Sequence, residues 1–279
     1  MPDYARPMQG EATTVTSPDG AEIHTVTAGS GDRTVVLAHG YGFNADPWND
    51  VADRLVDAGL RVVAFDQRGH GRSTVGSEGV GTAQMASDYA AVLDAHDVSD
   101  GVLVGHSMGG FLSIAFLLSG HEAVSRVKGL LLMATFAGNV AHKSLQNRMQ
   151  IPLIKSGILI RLLGIPLVAT AFTKSLVGKG FEQGMVDGFA PGFRNTGHDK
   201  LIPILEAMVN ENRYDRLGEL DLPTTVVIGT LDKTTPPFHT ADLHKGISGS
   251  RLVTLEDMGH SLNWEAPDVI AEEAIRLAG

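Results

Sequence analysis

The chain reads as an α/β protein: a mostly parallel sheet flanked by helices, with a helical segment inserted between two late strands. Three observations predict this. Apolar runs of strand character occur at Thr34–Ala38, Arg61–Asp66, Val102–Val104 and Val127–Ala134, too continuous for strands wet on one face. Stretches with helical spacing separate them, and strand-helix-strand succession specifies parallel neighbours with helices on both faces. The rhythm stops at about Gly138, and strand pattern resumes only at Thr224.

Composition narrows the class. At 279 residues the chain suits one large α/β unit, and 43% hydrophobic with 19% charged residues is a globular composition, not a disordered or fibrous one. Lys plus Arg total 22 against 32 for Asp plus Glu, a formal charge of -10, with no basic run for neutralising phosphates. Nucleic acid is therefore not the expected partner. The absence of cysteine excludes disulfides, thiolate metal sites and a cysteine nucleophile. Residues 1–10 lack the apolar core of a signal peptide, and no clean span of about 20 apolar residues follows. The expectation is a cytoplasmic protein with no transmembrane span.

Taken in order, Glu11–Ser17 and Ala21–Ala28 alternate polar with β-branched or apolar residues around the turn Ser17-Pro18-Asp19-Gly20, which predicts an antiparallel hairpin at a sheet edge. The strand Thr34–Ala38 runs into His39-Gly40-Tyr41-Gly42-Phe43-Asn44, then a helix with Trp48, Val51, Leu55 and Val56 on one side. Taken alone this is an ordinary strand-to-helix loop; beside a serine nucleophile, Gly40 and Gly42 would suit a backbone that approaches a substrate carbonyl closely. Arg61–Asp66 ends in the basic, glycine-rich turn Gln67–Ser73. This turn lacks the lysine and helix start of a phosphate-binding loop, so a structural role is favoured. Met85, Tyr89, Val92, Leu93 and His96 share one face of a helix over roughly Thr82–Asp97.

The next strand meets Gly105-His106-Ser107-Met108-Gly109, and Phe111, Leu112, Ala115 and Phe116 continue with helical spacing. A serine on a strained strand-to-helix turn projects its hydroxyl clear of the sheet, and flanking glycines let the turn close. The helix start beside it offers free N–H groups to developing negative charge. Residues 138–217 then carry helical segments broken by Pro152, Gly157, Gly164-Ile165-Pro166 and Pro191-Gly192. They are expected to form a cap, or lid, over the strands' C-terminal ends, leaving 1–137 and 218–279 as the core domain.

A serine needs a histidine to take its proton and a carboxylate to hold that histidine. Strand Thr225–Thr230 ends just before Asp232. Strand Arg251–Leu255 ends just before His260, after which Ser261–Pro267 is expected to open the last helix. Among 11 histidines only His260 has this setting, and the rival acid Asp257 lies too near His260 in sequence to reach back. The order Ser107, Asp232, His260 fits a nucleophile elbow followed by acid and base. No His/Asp cluster suggests a metal, and no metal or other cofactor is expected.

The elbow, the His39-Gly40-Tyr41-Gly42 loop, the Asp66–Ser73 turn, and Gly259-His260 with Glu265-Ala266-Pro267 together resemble the α/β-hydrolase superfamily over nearly the whole chain. The resemblance implies an eight-stranded sheet, a Ser107–His260–Asp232 triad, and an oxyanion hole formed by the backbone N–H groups of Tyr41 and Met108. Epoxide hydrolases and haloalkane dehalogenases of this group carry Asp at the nucleophile position, which Ser107 disfavours. The Gly-His-Ser-Met-Gly-Gly spelling is similar to esterases and monoglyceride-type lipases. The leading expectation is thus hydrolysis of a small-molecule carboxylic ester, small to medium and apolar, through an acyl-enzyme on Ser107. Behind it stand a cofactor-free haloperoxidase or perhydrolase with the same triad, and C–C hydrolases, which commonly show Asn where this chain has His106. A hydrolase-derived ligand-binding receptor with negligible turnover is the non-enzymatic alternative. Oligomeric state is not legible in the sequence.

Overall fold

A computed structural model describes residues 2–279. In chain order the core elements begin with β1 (Glu11–Thr16), β2 (Glu22–Ala28), β3 (Thr34–Ala38), α1 (Asn49–Asp57), β4 (Arg61–Phe65) and α2 (Thr82–Ala95). They continue with β5 (Gly101–His106), α3 (Met108–Leu117) and β6 (Val127–Met133). Five helices intervene: α4 (Leu145–Lys155), α5 (Ile158–Leu162), α6 (Pro166–Leu176), α7 (Gly184–Asn195) and α8 (Ile202–Asn210). The chain ends with β7 (Thr224–Gly229), α9 (Pro237–Gly246), β8 (Arg251–Leu255), α10 (Leu262–Glu265) and α11 (Pro267–Ala278).

The eight strands form one sheet in the order β1-β2-β4-β3-β5-β6-β7-β8. The opening hairpin is antiparallel and β2 pairs antiparallel with β4; every later pairing is parallel. The apolar runs are explained by a core on each face. Val36, Ala38, Leu103, Leu130 and Leu132 pack with Met85, Tyr89, Phe111 and Phe116 of α2 and α3. Val35, Leu37, Val104, Leu131 and Met133 pack with Val51, Leu55, Ile270 and Ala274 of α1 and α11. Because strand side chains alternate faces, two covered faces require apolar residues at successive positions.

Strand ends fall within one or two residues of the sequence reading, and two helix boundaries differ from it. The helix from Thr82 stops at Ala95, and Asp97 takes a left-handed φ of 47° that no α-helix continues. The last helix is two: α10 ends before Ala266 (φ -145°, ψ 48°), and α11 starts on Pro267. Proline lacks an N–H, excludes the α conformation from the residue before it, and suits the first helical position. The basic turn is structural, since buried Arg68 donates to Asp88 at 2.7 and 2.9 Å and to Asp19 at 2.8 Å. Among the described residues, no helix is long and apolar enough to cross a membrane.

Candidate active site

Ser107 sits between β5 and α3 with φ 54° and ψ -118°, a backbone that side chains other than glycine rarely adopt. The glycines around it have no room for anything larger. A Cβ on Gly105 would lie 2.6 Å from the Gly110 Cα, one on Gly109 2.2 Å from the Ala38 carbonyl oxygen, and one on Gly110 2.6 Å from the Thr135 side chain. The Ser107 N–H donates to the Met133 carbonyl at 3.0 Å, which ties the turn to the neighbouring strand. Met108 is the first residue of α3, so its N–H has no partner in the preceding turn of helix.

The loop after β3 approaches the same point. A Cβ on Gly40 would lie 3.1 Å from the Ser107 Cβ. The orientation of the next peptide is set by His39. The Gln67 N–H donates to His39 Nε2 at 2.8 Å, so the proton is on Nδ1, which donates to the Gly40 carbonyl at 2.7 Å. Burial holds His39 down at about 4, so this neutral tautomer persists at neutral pH. Phe43 N–H donates to the same carbonyl at 3.2 Å. In a trans peptide the N–H points opposite the C=O, so the Tyr41 N–H faces away from both partners. Gly42 has a different purpose from the expected one. Its φ is 74°, and a Cβ there would lie 2.2 Å from the Phe193 ring, so it makes room for α7 of the inserted helices.

His260 and Asp232 meet: His260 Nδ1 lies 2.9 Å from Asp232 Oδ2, both residues being buried. Asp232 Oδ1 accepts the N–H groups of Thr234 and Thr235, each at 2.8 Å, and Oδ2 also accepts the Thr235 hydroxyl at 2.7 Å. A buried carboxylate with four donors is oriented as well as solvated. With the proton on Nδ1, Nε2 is left free to accept one. Ser107 and His260 line one cavity, together with Tyr41, Phe136, Phe172 and Phe189. Asp257, the rival acid, is exposed and pairs with Lys179 at 2.8 Å.

Five neighbours were not singled out from sequence for this site. Thr235 orients Asp232. His106, which burial keeps far below the ordinary histidine range, donates from Nε2 to the His260 carbonyl at 3.0 Å, its ring centroid 4.8 Å from that of His260. Glu265 accepts from Gly178 N–H at 2.6 Å and from Gly259 N–H at 3.0 Å, joining the end of α6 to the histidine loop. The Leu176 carbonyl accepts from His260 N–H at 2.8 Å and Ser261 N–H at 3.1 Å. His198 donates from Nε2 to the Phe193 carbonyl at 2.6 Å and accepts the Tyr41 hydroxyl on Nδ1 at 2.8 Å. Apart from the local bonds of Thr235, of His198 to Phe193 and of Glu265 to Gly259, these link segments far apart in the chain, and no local spacing announces them.

The family model described as the alpha/beta hydrolase family matches residues 35–273. A 2-hydroxy-6-oxononadienedioate/2-hydroxy-6-oxononatrienedioate hydrolase of Escherichia coli K12 is 31% identical over 266 residues, covering 88% of this chain and 87% of the relative. Among solved structures, the esterase EaEST from Exiguobacterium antarcticum superposes with a TM-score of 0.85 at 24% identity, covering 96% of this chain and 99% of the other. A bromoperoxidase from Bacillus anthracis gives 0.81 at 22% identity with the same coverage. At these identities the structures show a shared fold.

Proposed function

The chain belongs to the alpha/beta hydrolase family, and on that premise we propose that it cleaves carboxylic esters of small to medium apolar acids by way of an acyl-enzyme on Ser107. His260 Nε2 takes the Ser107 proton as the hydroxyl attacks the ester carbonyl, and Asp232 stabilises the imidazolium from the Nδ1 side. The N–H groups of Tyr41 and Met108 donate to the developing oxyanion. His260 then hands its proton to the leaving alcohol, and water repeats the cycle on the acyl-enzyme. Residues 138–217 act as the cap that closes the acyl site.

The observation that carries the ester reading is the cavity wall. Of its eighteen residues none is Lys, Arg, Asp or Glu, and the acyl side is built from Ile151, Ile154, Phe172, Leu205 and Met208. An uncharged acyl chain gains there by burying apolar surface. The second reading, C–C hydrolysis, is favoured by the name of the relative at 31% identity. A dioate such as that name specifies would bring two carboxylates into a wall without a cation, and an unpaired buried charge is costly.

The test is turnover of a p-nitrophenyl ester series, acetyl to long acyl, beside a 2-hydroxy-6-oxo-dienedioate, by wild type and Ser107→Ala. Ester cleavage peaking at short to medium chains and falling on the order of 10⁴-fold or more in Ser107→Ala is the expected result. A dienedioate kcat/KM above that of every ester would replace it with the C–C reading.

A further inference from the structure

The inserted helices turn apolar side chains both ways. Of nine large hydrophobic residues standing in solvent among those described, seven fall between residues 145 and 167: Leu145, Met149, Leu153, Ile158, Leu162, Ile165 and Leu167. On α4, Leu145, Met149 and Leu153 recur every fourth residue along one outer stripe, while Asn147, Gln150, Ile151 and Ile154 on the opposite side line the cavity. On α5, which packs against α4, Ile158 and Leu162 are exposed one turn apart with Leu159 buried between them. Leu167, near the start of α6, is 79% exposed, and Leu145 72%. Soluble monomers seldom gather exposed leucines in this way unless the face meets something apolar.

The charge of the same stretch opposes that of the chain. Between Asn139 and Phe181 lie Lys143, Arg148, Lys155, Arg161, Lys174 and Lys179 with no Asp or Glu, in a chain of net charge -10. Lys155 pairs with Glu206 and Lys179 with Asp257, whereas Arg148 and Arg161, both exposed, have no ion-pair partner among the described residues. Exposed apolar and unpaired basic side chains therefore share α4 to α6.

We propose that this face docks on the surface of an anionic lipid bilayer, with the leucine, isoleucine and methionine side chains in the acyl boundary and Arg148 and Arg161 among the headgroups. An amphipathic surface of mixed basic and large apolar residues binds such an interface by both terms at once. A second copy of the chain fits less well, because a two-fold contact through this face sets its arginines against the same basic face of the partner copy. The proposal concerns binding and holds whichever bond the active site cleaves.

Co-sedimentation of the full chain with phosphatidylcholine vesicles, with and without phosphatidylglycerol, tests it. Expected are binding at least about tenfold stronger to the anionic vesicles, weakened by raised salt, and a loss of about tenfold in both Leu145→Ser/Leu167→Ser and Arg148→Glu/Arg161→Glu. Each double variant should keep the wild-type Tm and hydrolysis of a water-soluble short ester. No sedimentation with anionic vesicles, or equal binding by wild type and both variants, overturns the proposal. So does a dimer in sedimentation equilibrium that Leu145→Ser/Leu167→Ser splits, if vesicles are ignored.

Discussion

The elbow and the inserted helices are held by different means. From Gly101 to Leu117 every residue is buried, and the turn at Ser107 closes only because Gly105, Gly109 and Gly110 lack side chains. From Leu145 to Leu167, by contrast, most side chains reach solvent, and around the candidate site the insertion is tied by polar bonds, among them Tyr41 to His198, Asn147 to Thr234, Leu176 to His260 and Ser261, and Gly178 to Glu265. Ser107 is thus fixed by steric exclusion, which permits one arrangement. The insertion is fixed by replaceable contacts, which permit opening and sequence change.

Acidification should break the comparison most strongly, because buried neutral histidines serve both regions. Burial lowers His39 and His239 to about 4, His70 to about 3, His106 well below the ordinary value, and His198 as well. Above the ordinary histidine value neither the folded nor the unfolded chain binds these protons, so stability is flat. Below it the unfolded chain takes protons that the folded chain refuses, and stability falls as pH drops, by up to about 1.4 kcal/mol per pH unit for each histidine, down to its folded value. Thermal unfolding followed from pH 7.5 to 5 should show a steep fall in Tm that begins near 6.5. A flat Tm over that range would mean these rings are already protonated or solvated.

On the sterically fixed side, Gly109→Ala asks a methyl to share space with the Ala38 carbonyl, a backbone atom that cannot swing away. About 3 kcal/mol or more should be lost, seen as little soluble protein or a Tm lower by about 10 °C. An unchanged Tm would show that the β3 loop yields. The replaceable side should respond least. Tyr41→Phe removes the donor to His198 Nδ1 and should cost about 1 kcal/mol, with kcat/KM for short esters down several-fold and little change in Tm. Unaltered kinetics would assign the seating of the insertion to its other ties, at Asn147, Leu176 and Gly178.

The same contrast explains what could be read from sequence. The strands and the elbow are legible because β periodicity, two apolar faces and the glycine spacing are local consequences of steric rules, so Thr34–Ala38 and Arg251–Leu255 match their predicted ends. The meeting of Asp232 with His260 followed from both lying just past neighbouring parallel strands, β7 and β8. The sequence points Gly42 at the substrate because nothing near it in the chain indicates Phe193. The work of His106, Glu265 and His198 was hidden for the same reason, since each bond crosses the insertion or the sheet. Pro267 did announce a helix start, but Ser261 also marks one four residues before Glu265, and the short α10 between them was absorbed into a single helix.

The most direct test of the central claim, that Ser107 is the nucleophile activated by His260, is covalent labelling with a fluorophosphonate followed by intact-mass and peptide mass spectrometry. The account predicts one adduct per chain, on the peptide containing Ser107, and strong loss of labelling in His260→Ala that still folds with wild-type circular dichroism. An unlabelled wild-type protein, or an adduct on any other residue, would contradict it.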